Sequence, residues 1–168
     1  MTTVHSFPPV SNPSAKLLLL GSMPGKASLR ANQYYAHSRN AFWLLMDAIF
    51  SVDRDLPYGD RCMQLLHHDV AVWDVLKTCT RQSSLDSDIV DSSIVTNNFQ
   101  RFYSVHKDIR AVFFNGAMAE KSYKRYILPG LPVAMARLPL IRLPSTSPAH
   151  AALSFEQKLA LWKQIGRV

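Results

Sequence analysis

The run Lys16-Leu17-Leu18-Leu19-Leu20, followed at once by Gly21-Ser22-Met23-Pro24-Gly25, constrains this chain more than any other segment. Four consecutive leucines leave no polar face, so a strand built from them must be covered on both sides. A Gly/Pro-rich loop directly after such a strand marks its carboxyl end, where open α/β sheets hold their ligands. Between Gly21 and Trp43 the sequence then crowds Tyr34, Tyr35, His37, Arg39 and Asn40 ahead of a strongly apolar stretch. The chemistry is expected there.

Three further short apolar runs, 70–75, 111–114 and 140–143, read as strands in addition to 16–20. Helical patterns fall at 40–50, which is apolar nearly all round, and at 58–68, with Cys62, Leu65 and Leu66 inward. Leu85-Asp86-Ser87 opens a helix expected to run, with a break at Asn97-Asn98, to about Tyr103. Another helix spans 116–127. The last begins at a capping box, Ser154 with Gln157, and carries Leu159, Leu161, Trp162 and Ile165 as its apolar stripe. The order βααβαβαβα predicts an α/β fold: three layers, α/β/α, around a central, mainly parallel four-stranded sheet. At 168 residues one domain is expected over 16–168, behind a flexible leader, 1–15, that holds three prolines.

Hydrophobic residues make up 48% of the chain and its formal charge is +7, which excludes disorder and favours an anionic partner, nucleic acid first. Two cysteines, Cys62 and Cys79, are too few for a four-cysteine zinc or iron–sulfur site. His67-His68 point about 100° apart on a helix, with no ligand at the right offset, so no metal is expected. Neither a G-x-x-x-x-G-K-[ST] loop nor a G-x-G-x-x-G pattern occurs, so the fit is cofactor-free chemistry. No signal sequence or bilayer-length apolar run is visible, and the expected location is cytoplasmic without membrane contact.

Four segments resemble the uracil-DNA glycosylase superfamily: GSMPG (21–25), YYAHSRNAFW (34–43), AVWDVLKTCTR (71–81) and LPSTSPAHA (143–151). Together with SLDS (84–87), they look most like its hypoxanthine (deoxyinosine) DNA glycosylase branch, and the resemblance covers about residues 16–166. It implies a monofunctional, monomeric enzyme of base excision repair. Such an enzyme flips a deaminated base, hypoxanthine and then uracil or xanthine, out of DNA and leaves an abasic site. Three positions depart from the pattern. Met23 stands where relatives place an Asn or Asp for the attacking water, Ser38 replaces a Pro, and His150 replaces an Asn.

The resemblance gives Asn40 the catalytic part. A neutral carboxamide orients water through its acceptor oxygen, which suffices because the cleaving sugar is highly electrophilic. Asn is equally an N-cap, and the two roles coexist. Tyr35 matches the position that stacks on the flipped base, or else it is a core tyrosine. Asp74, closing a buried strand, either accepts from the base edge or is tied to neighbouring N–H groups or Arg81. Met23 and Asn115 complete the expected base site, with Asn115-Gly116 also readable as strand-end turn chemistry. Ser145, Thr146 and Ser147 are expected to bond phosphates. His150 faces the gap left by the flipped nucleotide or lies in solvent, while Lys26, Arg30 and Arg39 supply charge. Phe42 and Trp43 read as core. Two other classes fit the same sequence: a non-catalytic nucleic-acid-binding module, and a small-molecule nucleoside hydrolase.

Overall fold

The computed structural model describes residues 2–168. Its centre is a four-stranded sheet of β2 (Leu17–Gly21), β3 (Val70–Asp74), β6 (Ala111–Asn115) and β7 (Leu140–Leu143). The order is β3-β2-β6-β7 and every pairing is parallel. The leucine run is central because it is buried throughout, whereas β7 closes an edge and exposes Arg142. Register brings Gly21 beside Asp74 and Leu20 beside Phe114, so the polar residues of the strand ends meet at one rim.

The helices pack on this sheet: α1 (Lys26–Ala31), α2 (Phe42–Phe50), α3 (Tyr58–His67), α4 (Phe99–Val105), α5 (Ala117–Ser122), α6 (Val133–Ala136) and α7 (Phe155–Trp162). A π turn, Tyr123–Ile127, prolongs α5 and buries Tyr123. The α/β architecture and the four parallel strands are those expected from the sequence.

Three expectations fail for physical reasons. Residues 1–15 are not a loose leader: β1 (Thr2–His5) pairs antiparallel with β4 (Leu76–Arg81), and Val10 bridges to Val72. Three consecutive β-branched residues, Thr2, Thr3 and Val4, suit an exposed edge strand, and all three prolines of the segment fall after it. The stretch after Leu85 is not one helix. It makes two 3-10 turns, Asp86–Asp88 and Asp91–Ser93, then the two-residue strand β5 (Val95–Thr96), and becomes α-helical only at Phe99. Its Ser and Asp side chains bond locally, as Ser83 Oγ to the Leu85 N–H does, and so compete with helix formation.

A second, three-stranded antiparallel sheet, β1-β4-β5, results. In α7 the capping box forms, with the Gln157 N–H donating to Ser154 Oγ at 3.2 Å and the Ser154 N–H to Gln157 Oε1 at 2.8 Å. Leu161, expected on its apolar stripe, is 49% exposed. Lys158 is buried in its stead, one turn before Trp162.

Candidate active site

Four loops gathered at the carboxyl-terminal rim of the parallel sheet, one of them supplied by the antiparallel sheet, enclose a pocket of about 360 Å³. That volume lies in the range of small-molecule sites. The loops are 21–28 after β2, 34–40 before α2, 84–87 after β4 and 145–150 after β7. Met23, Lys26, Tyr35, Asn40, Asp74, Asn115, Ser145, Thr146, Ser147 and His150 all line it, so sequence reasoning gathered one site from five elements. Arg39 is exposed and lies outside that lining.

Gly21 determines how closely the floor packs. A Cβ at this position would sit 2.7 Å from Asp74 Oδ1 and 3.0 Å from the Tyr35 hydroxyl. Only hydrogen in place of a side chain lets the two groups converge there. Asp74 is 3% exposed. Its Oδ2 accepts from Ser6 Oγ at 2.8 Å, and Asn97 Nδ2 donates to its carbonyl oxygen at 2.8 Å. Burial pushes its carboxyl up to about 7. The Ser6 bond and the Arg81 charge pull it down, and Asp86 adds to the rise.

Asp74 is not ion-paired to Arg81. The Arg81 guanidinium is itself buried and donates through Nη2 to the Pro24 carbonyl, while Nε and Nη1 find no partner among the described residues. The structural alternative for Asp74 therefore reduces to one neutral hydroxyl.

Tyr35 adopts left-handed backbone, φ 56°. A non-glycine residue in this region carries strain, which surrounding structure must hold in place. Phe42 stacks on its ring at 4.0 Å between centroids and 20° between planes. The Tyr35 hydroxyl is buried and finds no hydrogen-bond partner among the described residues; burial together with Asp74 raises its pKa, and the nearby Asn115 side chain works against the rise. Tyr34, next to it, also borders the pocket: its hydroxyl is shared between the carbonyls of Phe7 and Pro8, and its own carbonyl accepts from Trp43 Nε1 at 3.1 Å. Phe42 and Trp43 are core, as expected.

Asn40 lines the pocket and, one residue before the N-cap Ala41, bonds the first residue of α2 at the same time. Its Oδ1 accepts from the Phe42 N–H at 2.9 Å, which fixes the carboxamide plane. One lone pair of Oδ1 and both Nδ2 hydrogens are left over by this bond.

Thr146 corrects one expectation. Instead of presenting itself to phosphates, it is 1% exposed and knots three loops. It gives its N–H to Asn115 Oδ1, receives Asn115 Nδ2 on Oγ1, and accepts the Ala41 N–H on its carbonyl. Asn115 is accordingly a loop clamp at the pocket wall. Ser145 and Ser147 each accept one local backbone N–H, which leaves their hydroxyl hydrogens to donate. His150 lies exposed at the mouth.

Sequence reasoning missed the opposite rim. Ser22 Oγ donates to Asp86 Oδ1 at 2.6 Å, and the Lys26 N–H donates to Ser84 Oγ at 2.9 Å, pinning 84–87 over the entrance. The segment was visible as SLDS but read as the start of a helix. Ser6 was missed altogether. Among the described residues no group of three His, Cys, Asp or Glu side chains is placed to hold a metal. No helix there is long and apolar enough to cross a membrane.

Comparison with known proteins agrees with this geometry. Residues 8–166 match the family model of the Uracil DNA glycosylase superfamily. A protein of Methanosarcina barkeri named hypoxanthine DNA glycosylase is 36% identical over 113 residues, 67% of this chain and 70% of its own length. A protein of the same name from Methanosarcina acetivorans is 36% identical over 116 residues, 68% and 72% of the two lengths. The solution NMR structure of a candidate uracil DNA glycosylase from Methanosarcina acetivorans superposes with a TM-score of 0.78 at 30% identity. It covers 98% of this chain and 99% of the other.

Proposed function

The chain belongs to the uracil DNA glycosylase superfamily and is a DNA glycosylase that hydrolyses N-glycosyl bonds, and from this premise we propose that its substrate base is hypoxanthine, uracil and xanthine ranking behind it. The observation that carries the proposal is the convergence of Asn40, Tyr35 and Asp74 on one pocket at the strand ends.

A base inside a duplex is out of reach, so the deoxyinosine is turned out of the stack into this pocket. Phe42 backs one face of Tyr35, and the other face is the platform on which the purine stacks. Asp74, ionised, accepts the N–H of hypoxanthine next to its C=O. Adenine offers a ring-nitrogen acceptor at that edge and leaves the carboxylate unpaired, a mismatch that costs far more than a lost contact. Uracil presents the same N–H and C=O pair as hypoxanthine.

The C1′–N9 bond then breaks with its electron pair leaving on the base. Asn40, its plane set by the Phe42 N–H, holds a water through Oδ1; that water adds to C1′, and its released proton neutralises the departed base anion, so the products are the abasic sugar and neutral hypoxanthine. Met23 in the first motif takes no part in this step; it packs the pocket wall at 7% exposure. Ser145 and Ser147 donate to backbone phosphates, and Lys26, Arg30 and Arg39 add salt-dependent attraction. The product is an abasic site with an intact strand, since Lys26, the lysine in the pocket lining, lies exposed after β2, at the start of α1, rather than at a strand end.

The test is a panel of oligonucleotides carrying one deoxyinosine, deoxyuridine or deoxyxanthosine, treated with alkali after incubation. Strand cleavage at deoxyinosine, absent before alkali, is the expected result. Absence of product on every base in both single and double strands would refute the proposal.

A further inference from the structure

Asp74 has two carboxylate oxygens in different situations. Oδ2 is held by Ser6 at 2.8 Å, whereas Oδ1 lies against Gly21 and accepts no hydrogen bond among the described residues. Ser6 reaches it from 68 positions away, on the segment that follows β1. That segment is fixed on both sides: the Ser6 N–H donates to the Lys77 carbonyl at 2.8 Å, and the Phe7 carbonyl accepts from Tyr34 Oη at 3.2 Å and Trp73 Nε1 at 3.2 Å. Phe7 also meets the Tyr34 ring edge-on at 5.2 Å. A backbone so anchored delivers one hydroxyl to one oxygen of a buried carboxylate.

We propose that Ser6 is a positioning residue for base recognition, its hydroxyl holding Asp74 Oδ2 so that Oδ1 is the atom presented to the flipped base. The proposal rests on the assignment of Asp74 to reading that base. A carboxyl group without this bond rotates about its Cβ–Cγ axis and offers either oxygen. With it, the plane is fixed before substrate arrives, and no ordering remains to oppose binding. The bond also favours the ionised form, the form that accepts an N–H.

Other groups act on the same carboxylate from every side. Asp86 on the 84–87 rim opposes ionisation and Arg81 on β4 favours it, while the neutral hydroxyls of Tyr34 and Tyr35 lie close by. His150, on the 145–150 loop, acts on Asp86 at one remove. Ser6 is the only one of these whose hydrogen bond to Asp74 is formed in the structure.

The experiment combines a carbon-13 NMR titration of the Asp74 side-chain carboxyl with single-turnover excision of hypoxanthine from pH 5 to 9. Wild type, Ser6→Ala and Ser6→Thr are compared. In Ser6→Ala the carboxyl midpoint rises and the acid limb of the rate profile moves up with it, with a loss of about tenfold at neutral pH. Ser6→Thr, which keeps the hydroxyl, restores both. An unmoved carboxyl midpoint in Ser6→Ala, or a rate loss equal at every pH, overturns the proposal. A midpoint that moves while wild type shows no acid limb instead overturns the assignment of Asp74 to base reading and leaves the Ser6 bond standing.

Discussion

Asn115 and Thr146 grip each other twice: Asn115 Nδ2 donates to Thr146 Oγ1 at 2.9 Å, and the Thr146 N–H donates back to Asn115 Oδ1 at 2.9 Å. The pair joins the end of β6 to the loop after β7, and the Thr146 carbonyl extends the link to Ala41 at the start of α2. Replacing Asn115 with Ala leaves the buried Thr146 N–H and hydroxyl unpaired, at a cost of about 1–3 kcal/mol. The expected result is a lower midpoint of thermal unfolding, with weaker binding to deoxyinosine DNA because the 145–150 loop is no longer held. Differential scanning calorimetry and a fluorescence-anisotropy titration check both.

Asn40→Ala should lower single-turnover excision by about a hundredfold or more, the scale at which one oriented polar group acts in a transition state. Affinity for DNA should stay close to wild type. The same change removes the Oδ1 acceptor of the Phe42 N–H and should cost about 1 kcal/mol of stability. Asn40→Asp keeps that acceptor, and with it the bond to the first turn of α2. Its melt should match wild type.

Gly21→Ala tests the floor of the pocket. The new methyl group would meet Asp74 Oδ1 at 2.7 Å and Tyr35 Oη at 3.0 Å, so both must move. Overpacking of this kind costs about 1–3 kcal/mol. Excision of hypoxanthine should fall far more than the affinity for undamaged duplex, which binds through phosphates alone. Parallel binding and excision assays distinguish the two effects.

The raised pKa of Asp74 makes a prediction with a definite sign. Its carboxyl titrates near 3.8 in the unfolded chain and at about 7 in the fold, so between these values the native state binds more protons. Stability is therefore favoured below this window and falls as pH rises through it, by about 4 kcal/mol if the full difference is realised. Asp74→Asn abolishes this dependence. The variant should gain thermal stability over wild type on going from pH 5 to pH 8, while losing discrimination between hypoxanthine and adenine. Melting curves at the two pH values, together with the oligonucleotide panel, check it.

The legible parts of this molecule share a cause. Leu17–Leu20, the capping box at Ser154 and the Gly–Pro loop at 21–25 each declare their structure within a few residues, and the structure follows them. Asn40, Tyr35 and Asp74 were singled out by the motifs they stand in, and the structure brings all three to one pocket lining. Ser6 was not, and Arg81 and Asp86 were named for other roles, because what each does depends on a partner dozens of positions away. Residues 85–98 misled for another reason. Their Ser and Asp content suits a helix start and a chain of turns equally, and tertiary contact with Ser22 and Thr80 decided for turns. Leu161 shows the limit of periodicity: one position of phase separates a buried leucine from an exposed one, and the long stem of Lys158 could fill the place.

The antiparallel seam between Thr2–His5 and Thr78–Arg81 also bears on how this protein should be handled. Trimming the first half-dozen residues as if they were an inert tail would spare the parallel sheet and its crossovers. Circular dichroism and gel filtration would then report a well-made sample. The hydroxyl that we propose positions Asp74 would be gone all the same, and a preparation that passed both checks would be blunted in its choice of base.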